Sequence, residues 1–323
     1  MKKLNLFVGA MLLTIVSIFT ACQDQDLSRD LQDPIALKNG VLVFKTQADF
    51  ESTLTYLKEN QDALGEWEKK FPGFVSLRSA YVKFEDELNN AKSEADVEDL
   101  MEANQSIFTI TDRSGDLELV PLMDDDLIST VFNKEGLIVV AGKLMKVTDK
   151  QLFEQELVSD ADFNVSLQDF QQSILSGGAK NTPVVKTIVN FDVKTGKRID
   201  TCDKSYDGGK KRLKGEIFRN MVGPLYSSVG ARSKHQKKRL GLWTADKTNK
   251  IRLKIDGEYF QEALGGVVIL PITYDKTESN ENKISKTFEF CVLVECEFGI
   301  NYMENLHWCD CDDSNQRSCI TNI

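Results

Sequence analysis

Hydrophobic residues along this chain change their spacing several times, and each change marks a different kind of element. Residues 4–19 are an unbroken, uncharged and mostly apolar run behind Lys2-Lys3. Val41-Leu42-Val43-Phe44 then reads as a short strand. Thr46-x-x-Asp49 has the form of a capping box, and Phe50, Leu54, Leu57, Leu64 and Trp67 fall on one helical face until Pro72-Gly73 stops the run. Leu77, Tyr81, Phe84, Leu88 and Ala91 make a second helical stripe, with Arg78, Lys83, Glu85 and Asp86 off it. Ser93-x-x-Asp96 caps a shorter helix carrying Val97, Leu100 and Met101. Such stripes predict packing on the protein's own core.

From Ile107 the apolar runs shorten and turn residues separate them, which predicts strands. Residues 137–140 and 144–147 form a hairpin turning at Gly142. Residues 177–183, Gly-Gly-Ala-Lys-Asn-Thr-Pro, read as a linker. Beyond it Ile251, Leu253 and Ile255 alternate strictly with Lys250, Arg252 and Lys254. Phe288, Phe290, Val292, Val294, Cys296 and Phe298 share one face of a single long strand, with Cys291 on the other. The predicted fold is α+β: N-terminal helices packed on a small antiparallel sheet in residues 39–176, then a mostly antiparallel, β-sandwich-like domain in residues 184–323 with a cysteine-rich end.

The N-terminus supplies an address. The apolar run is too short to span a bilayer and ends at Thr20-Ala21-Cys22, followed by Gln23-Asp24-Gln25-Asp26. Residues 1–21 therefore read as a signal peptide. Phe19-Thr20-Ala21-Cys22 resembles the lipobox of bacterial lipoproteins, which implies a lipidated Cys22 and a permanent membrane tether through residues 22–38. The acidic residues after Cys22 resemble the export signal of Bacteroidota-type lipoproteins. They imply an outer-membrane, lipid-anchored protein exposed at the cell surface, with the periplasmic face as the alternative. Taken with the Asn133-x-x-Gly136 turn and the stretch from Tyr226-Ser227-Ser228-Val229-Gly230 to Trp243, the chain is similar to a group of Bacteroidota surface lipoproteins with a domain of unknown function. That likeness implies an address and a two-part architecture, and it brings no activity.

Charge and cysteines refine this picture. The 323 residues carry 40 Lys and Arg against 50 Asp and Glu, yet residues 194–254 hold 18 cations and only five acids. Within them Lys210, Lys211, Arg212, Arg232, Lys234, Lys237, Lys238 and Arg239, beside Tyr226 and Trp243, form a candidate patch for an anionic glycan. Cys202, Cys291, Cys296, Cys309, Cys311 and Cys319 are candidate disulfide partners in an exported chain. Cys202 is expected to reach the C-terminal cluster. Cys291 and Cys296 are expected not to bridge, lying about 16 Å apart on one strand. A Cys309–Cys311 bond is disfavoured by its single intervening residue.

Chemical signatures are few. His235 and His307 are the only histidines, too few for the common zinc-hydrolase patterns, and no Gly-x-Ser-x-Gly elbow occurs. The stretch from Gly136 to Lys143 departs from a phosphate loop in spacing and has Leu144 where a hydroxyl is required. Asp124-Asp125-Asp126 reads as a solvated turn or helix start. No catalytic residue, metal site or cofactor is assigned, and no nucleic-acid motif is found. The preferred expectation is a non-enzymatic binding or adhesion module for an anionic glycan or host polymer. A structural or assembly role with an envelope protein is the alternative, and a glycan or peptide hydrolase comes third.

Overall fold

The computed structural model describes residues 34–113, 116–157, 163–178, 180–183, 188–189, 202–263, 266–293, 296–311 and 316–322. The signal peptide, Cys22 and the tether up to residue 33 lie outside them. The last part of the expected tether is a strand, β1 (Ile35–Lys38), which turns through Asn39-Gly40 into β2 (Val41–Phe44). Both turn residues have positive φ, the conformation a two-residue hairpin needs and that Asn-Gly supplies.

Helix α1 (Gln47–Glu59) begins at the Thr46 cap, whose hydroxyl accepts from the Asp49 amide while Asp49 accepts from the Thr46 amide. The single helix expected through Trp67 is broken at Asn60, and a turn at Gln61–Ala63 leads into α2 (Leu64–Glu68). The cause is a tertiary contact that periodicity does not encode. The Gln61 amide accepts from the Thr287 backbone N–H at 3.0 Å and donates to its carbonyl at 2.9 Å, serving as a strand-like partner for a distant strand. Helices α3 (Leu77–Asn90) and α4 (Glu94–Ala103) follow their predicted stripes, with Ser93 and Asp96 closing the second capping box.

Next come β3 (Phe108–Arg113), β4 (Asp116–Pro121), α5 (Asp126–Val131), and the hairpin β5 (Leu137–Val140) and β6 (Lys143–Val147), which turns at Ala141-Gly142 as expected. After β7 (Gln151–Glu156) comes α6 (Phe163–Ser176), a helix the sequence pattern does not predict. Its buried Phe163 and Phe170 pack with Val41, Val43, Leu137 and Val139. Strand β8 (Lys180–Pro183), within the stretch read as a linker, pairs with β7.

The remaining elements are all strands: β9 (Ile188–Val189), β10 (Cys202–Tyr206), β11 (Lys211–Val222), β12 (Tyr226–Arg239), β13 (Leu242–Ala245), β14 (Thr248–Ala263), β15 (Gly266–Glu281), β16 (Lys283–Val292), β17 (Glu297–Asp310) and β18 (Gln316–Asn322). The expected strand over residues 288–298 is two strands. Leu293 adopts φ +58°, ending β16, which pairs with β12, while β17 pairs with β14 in another sheet. The corner brings Cys291 and Cys296 to 6.2 Å between Cα atoms and they form a disulfide, correcting the expectation that they stand too far apart. Cys309 and Cys311 also bridge, at 5.3 Å between Cα atoms, against expectation: the second cysteine lies just past the end of β17, where the backbone is no longer held to strand geometry. Cys202 joins Cys319 as expected.

The fold is α+β and mostly strand, in mixed and antiparallel sheets. One sheet runs β1-β2-β5-β6-β7-β8, a second β10-β11-β12-β13-β4-β3 with β16 on β12 and β9 on β11, and a third β15-β14-β17-β18. The second sheet takes strands from both halves of the sequence, joined where β4 and β13 pair in parallel at Glu118 and Trp243. Leu213, Ile217, Val229 and Ala231 of β11 and β12 share a core with Ile251, Leu253 and Ile255 of β14 and Phe298 and Ile300 of β17. Helices α1, α3 and α5 bury Phe50, Phe84 and Leu127 with Tyr226, Phe290 and Val292 in another. Among the described residues no helix is long and apolar enough to cross a membrane.

Candidate functional site

Strands β11 and β12 are buried on both faces, and their polar residues fall in register. Arg212 stands opposite Gln236, Lys214 opposite Lys234, and Glu216 opposite Arg232. Two lysines directly opposite each other repel, so acids must come from elsewhere in the fold. Glu118 of β4 supplies one, accepting from Lys214 at 2.5 Å, Gln236 at 2.9 Å, Lys234 at 3.1 Å and Arg212 at 3.3 Å. Glu216 lies 2.7 Å from Arg232 and 2.9 Å from Lys214. Asp124 closes the group, 2.5 Å from Arg232, which also donates to its backbone carbonyl.

Three of the eight expected patch residues, Arg212, Arg232 and Lys234, therefore lie inside the protein, with Arg212 and Arg232 at 1% and 0% exposure. Their placement corrects the picture of one continuous outward surface. Cross-strand alignment gathers them as expected, but onto a face covered by β4 and the Asp124–Asp126 turn. Burial pushes the Glu118 carboxyl up, and Lys234, Lys214 and Arg212 overcome it despite the opposing Glu216, bringing its pKa down to about 2. Burial opposes the charge on Arg232 as well, but Asp124 and Glu216 raise its pKa above the ordinary value.

The acid triplet is a helix start, as expected, but a buried one. Asp125 caps α5 by accepting from the Leu127 amide at 2.9 Å and also accepts from the Tyr226 hydroxyl at 2.6 Å and from Ser228. Burial raises its pKa against these hydrogen bonds. One oxygen of Asp124, Oδ1, has no hydrogen-bond partner, and Asp124 lines a cavity of about 20 Å³ with Tyr81, Glu85, Lys234 and Asn282, room for a single water. Burial brings the Glu85 pKa up to about 7, against the pull of Lys283 and Asn282.

Both histidines are fully buried. His235 contacts the Tyr206 hydroxyl and lies 2.7 Å from the Asp246 carbonyl. His307 lies 2.9 Å from the Ser233 hydroxyl and 3.1 Å from Thr321. Ser233 and His307 have the separation of a nucleophile and its base, but Ser233 also donates to the Arg252 carbonyl and neither residue meets solvent. Burial lowers the His307 pKa to about 4, so at neutral pH its ring is uncharged.

The other five patch residues collect at one end of the β11–β12 pair. Lys211, Lys237 and Arg239 share the carboxylate of Asp246 at 3.3, 3.4 and 3.8 Å. Lys210 and Lys238 are exposed, and the Lys238 ammonium lies 5.3 Å from the centre of the Trp243 ring. The sequence reading missed Glu118, Glu216, Asp124 and Asp246, which decide which cations remain outside. One signal was present: Glu216 is a lone acid among the four cations of β11.

No family model matches the chain, and no curated protein matches it either. Among solved structures it is similar to a DUF4848 family protein from Bacteroides thetaiotaomicron, with 13% identity and a TM-score of 0.29, covering 90% of this chain and all of that one.

Proposed function

We propose that the protein is a non-enzymatic binding module, held at the outer membrane through a lipid on Cys22, that takes an anionic glycan at the cationic end of β11 and β12. One observation carries this reading: the fold sorts its cations. Arg212, Lys214, Arg232 and Lys234 are matched by interior acids, whereas Lys211, Lys237 and Arg239 share the one carboxylate of Asp246 and Lys210 and Lys238 are exposed at the same end of the strand pair. Partial neutralisation by one carboxylate leaves a local positive excess beside the exposed Lys238 on Trp243, an arrangement suited to sulfate or carboxylate groups.

The test is retention of the Cys22→Ser chain on immobilised heparin and on a neutral dextran at two salt concentrations. Salt-sensitive retention on heparin alone, lost in Lys237→Glu/Lys238→Glu and kept in a Lys254→Glu control, supports the reading. Equal retention of the double variant overturns it.

A further inference from the structure

Strand β3 ends the second sheet: it pairs with β4 along its whole length and with no other strand among the described residues. Two open depressions that meet at Gln105 and Phe108 border β3, the larger reaching over the sheet face as far as Leu242 of β13. The larger, about 550 Å³, lies between α4, β3 and the turn from β12 to β13, and is floored by Met101, Phe108, Ile110 and Leu242. Ile110 is 46% exposed at the centre of an edge strand, where a side chain of that size is normally covered. The smaller, about 310 Å³, continues past Thr109 to the end of β6.

The charges along this trough are one-sided. Glu98 and Glu102 rim the larger depression, and Glu135 and Asp149 the smaller, against the single cation Lys146. Glu135 is 3.8 Å from Lys134, but Glu98, Glu102 and Asp149 make no ion pair among the described residues. The protein satisfies its interior charges closely, so a row of unmatched carboxylates beside an apolar floor and an open strand edge is a separate kind of surface.

We infer that the free edge of β3 and the trough beside it dock an extended segment of another protein, one in which apolar side chains alternate with lysine or arginine. The strand edge supplies backbone hydrogen bonds, Met101, Phe108 and the exposed Ile110 take the apolar side chains, and Glu98, Glu102 and Asp149 take the cations. Strand β3 has six residues, so the segment spans about 20 Å. This surface adjoins the cationic end of β11 and β12 at the β12–β13 turn, but it selects the opposite charge.

The experiment measures fluorescence anisotropy of a labelled Lys-Val-Lys-Val-Lys-Val-Lys peptide against the Cys22→Ser chain. Three comparisons accompany it: the peptide with every lysine replaced by glutamate, the peptide N-methylated on alternate residues, and the Glu98→Lys/Glu102→Lys variant, whose changes fall on the solvent side of a helix. Saturable binding that weakens at least tenfold in all three comparisons, and is not weakened in Lys237→Glu/Lys238→Glu, is the expected result. Absence of binding, or binding indifferent to the charge reversal, overturns the inference. Equal affinity for the N-methylated peptide overturns strand addition. A dimer of the chain itself that dissociates on the Glu98→Lys/Glu102→Lys change would give the edge to a second copy instead, and overturn the assignment to a foreign segment.

Discussion

Replacing Glu118 by glutamine keeps the shape of the side chain and removes one charge from the interior. Lys214, Arg232 and Lys234 would then face only Glu216 and Asp124 inside the cluster, while Arg212 would keep Asp116 and Asp203. Three of these four cations lie within 3.3 Å of Glu118 at present, and all have been taken out of water. Breaking a buried pair from one side costs about 3–5 kcal/mol, because the remaining charge keeps its desolvation penalty and loses its partner. Urea unfolding followed by tryptophan fluorescence should show this as a lower midpoint at unchanged slope. Adding Lys234→Met to Glu118→Gln restores the balance and should recover part of the loss, giving a favourable coupling in the double-mutant cycle. A loss below about 1 kcal/mol, the size of an exposed ion pair, would refute the claim that these charges are sealed from solvent. With the Glu118 pKa lowered from 4.5 to about 2, its stabilisation is complete above pH 4.5 and is lost as pH falls toward 2.

Gly215→Ala should destabilise by about 1–3 kcal/mol, since a Cβ there would fall 2.1 Å from the His307 ring and overpack the core; thermal unfolding reads it. Replacing Cys202 and Cys319 together by alanine opens a loop of 117 residues and should cost about 4–5 kcal/mol on the chain-entropy account, measured by denaturant titration with the other two disulfides intact. Glu85 has its folded pKa raised to about 7, so it stabilises the fold at low pH and the contribution is lost between about pH 4.5 and 7; Glu85→Gln should flatten that part of the stability–pH curve. His307 acts oppositely: its folded pKa of about 4 lies below the unfolded 6.5, so stability falls as pH drops from 6.5 to 4, and His307→Gln should remove that decline.

Local patterns were legible where local forces decide. The caps at Thr46 and Ser93, the stripe from Leu77 to Leu88 and the Gly142 hairpin depend on neighbours within a few residues, and they fold as the pattern implies. The break at Asn60 and the corner after Val292 depend on partners more than 200 residues away or on a change of sheet, which alternation cannot register. The basic segment shows the same limit in its electrostatics. Its cross-strand gathering was legible, but the split into interior and exterior cations depends on Glu118 and Asp124, which lie about 100 residues upstream in a stretch that reads as strand and turn.

The pairing of β4 with β13 also governs the order in which the chain can become complete. A chain that emerges N-terminus first presents Glu118 to its surroundings for 94 residues before Arg212 appears. During that interval β4 has one finished edge and one open one, and its acids are hydrated. Closure must then occur late, as a joint event in which strand pairing, charge matching and burial of both faces of β11 and β12 are achieved together. Shortening the chain after residue 183 would therefore leave an acidic strand without its cover, and a protease cut between β4 and β13 need not separate the pieces, because the sheet holds them from both sides.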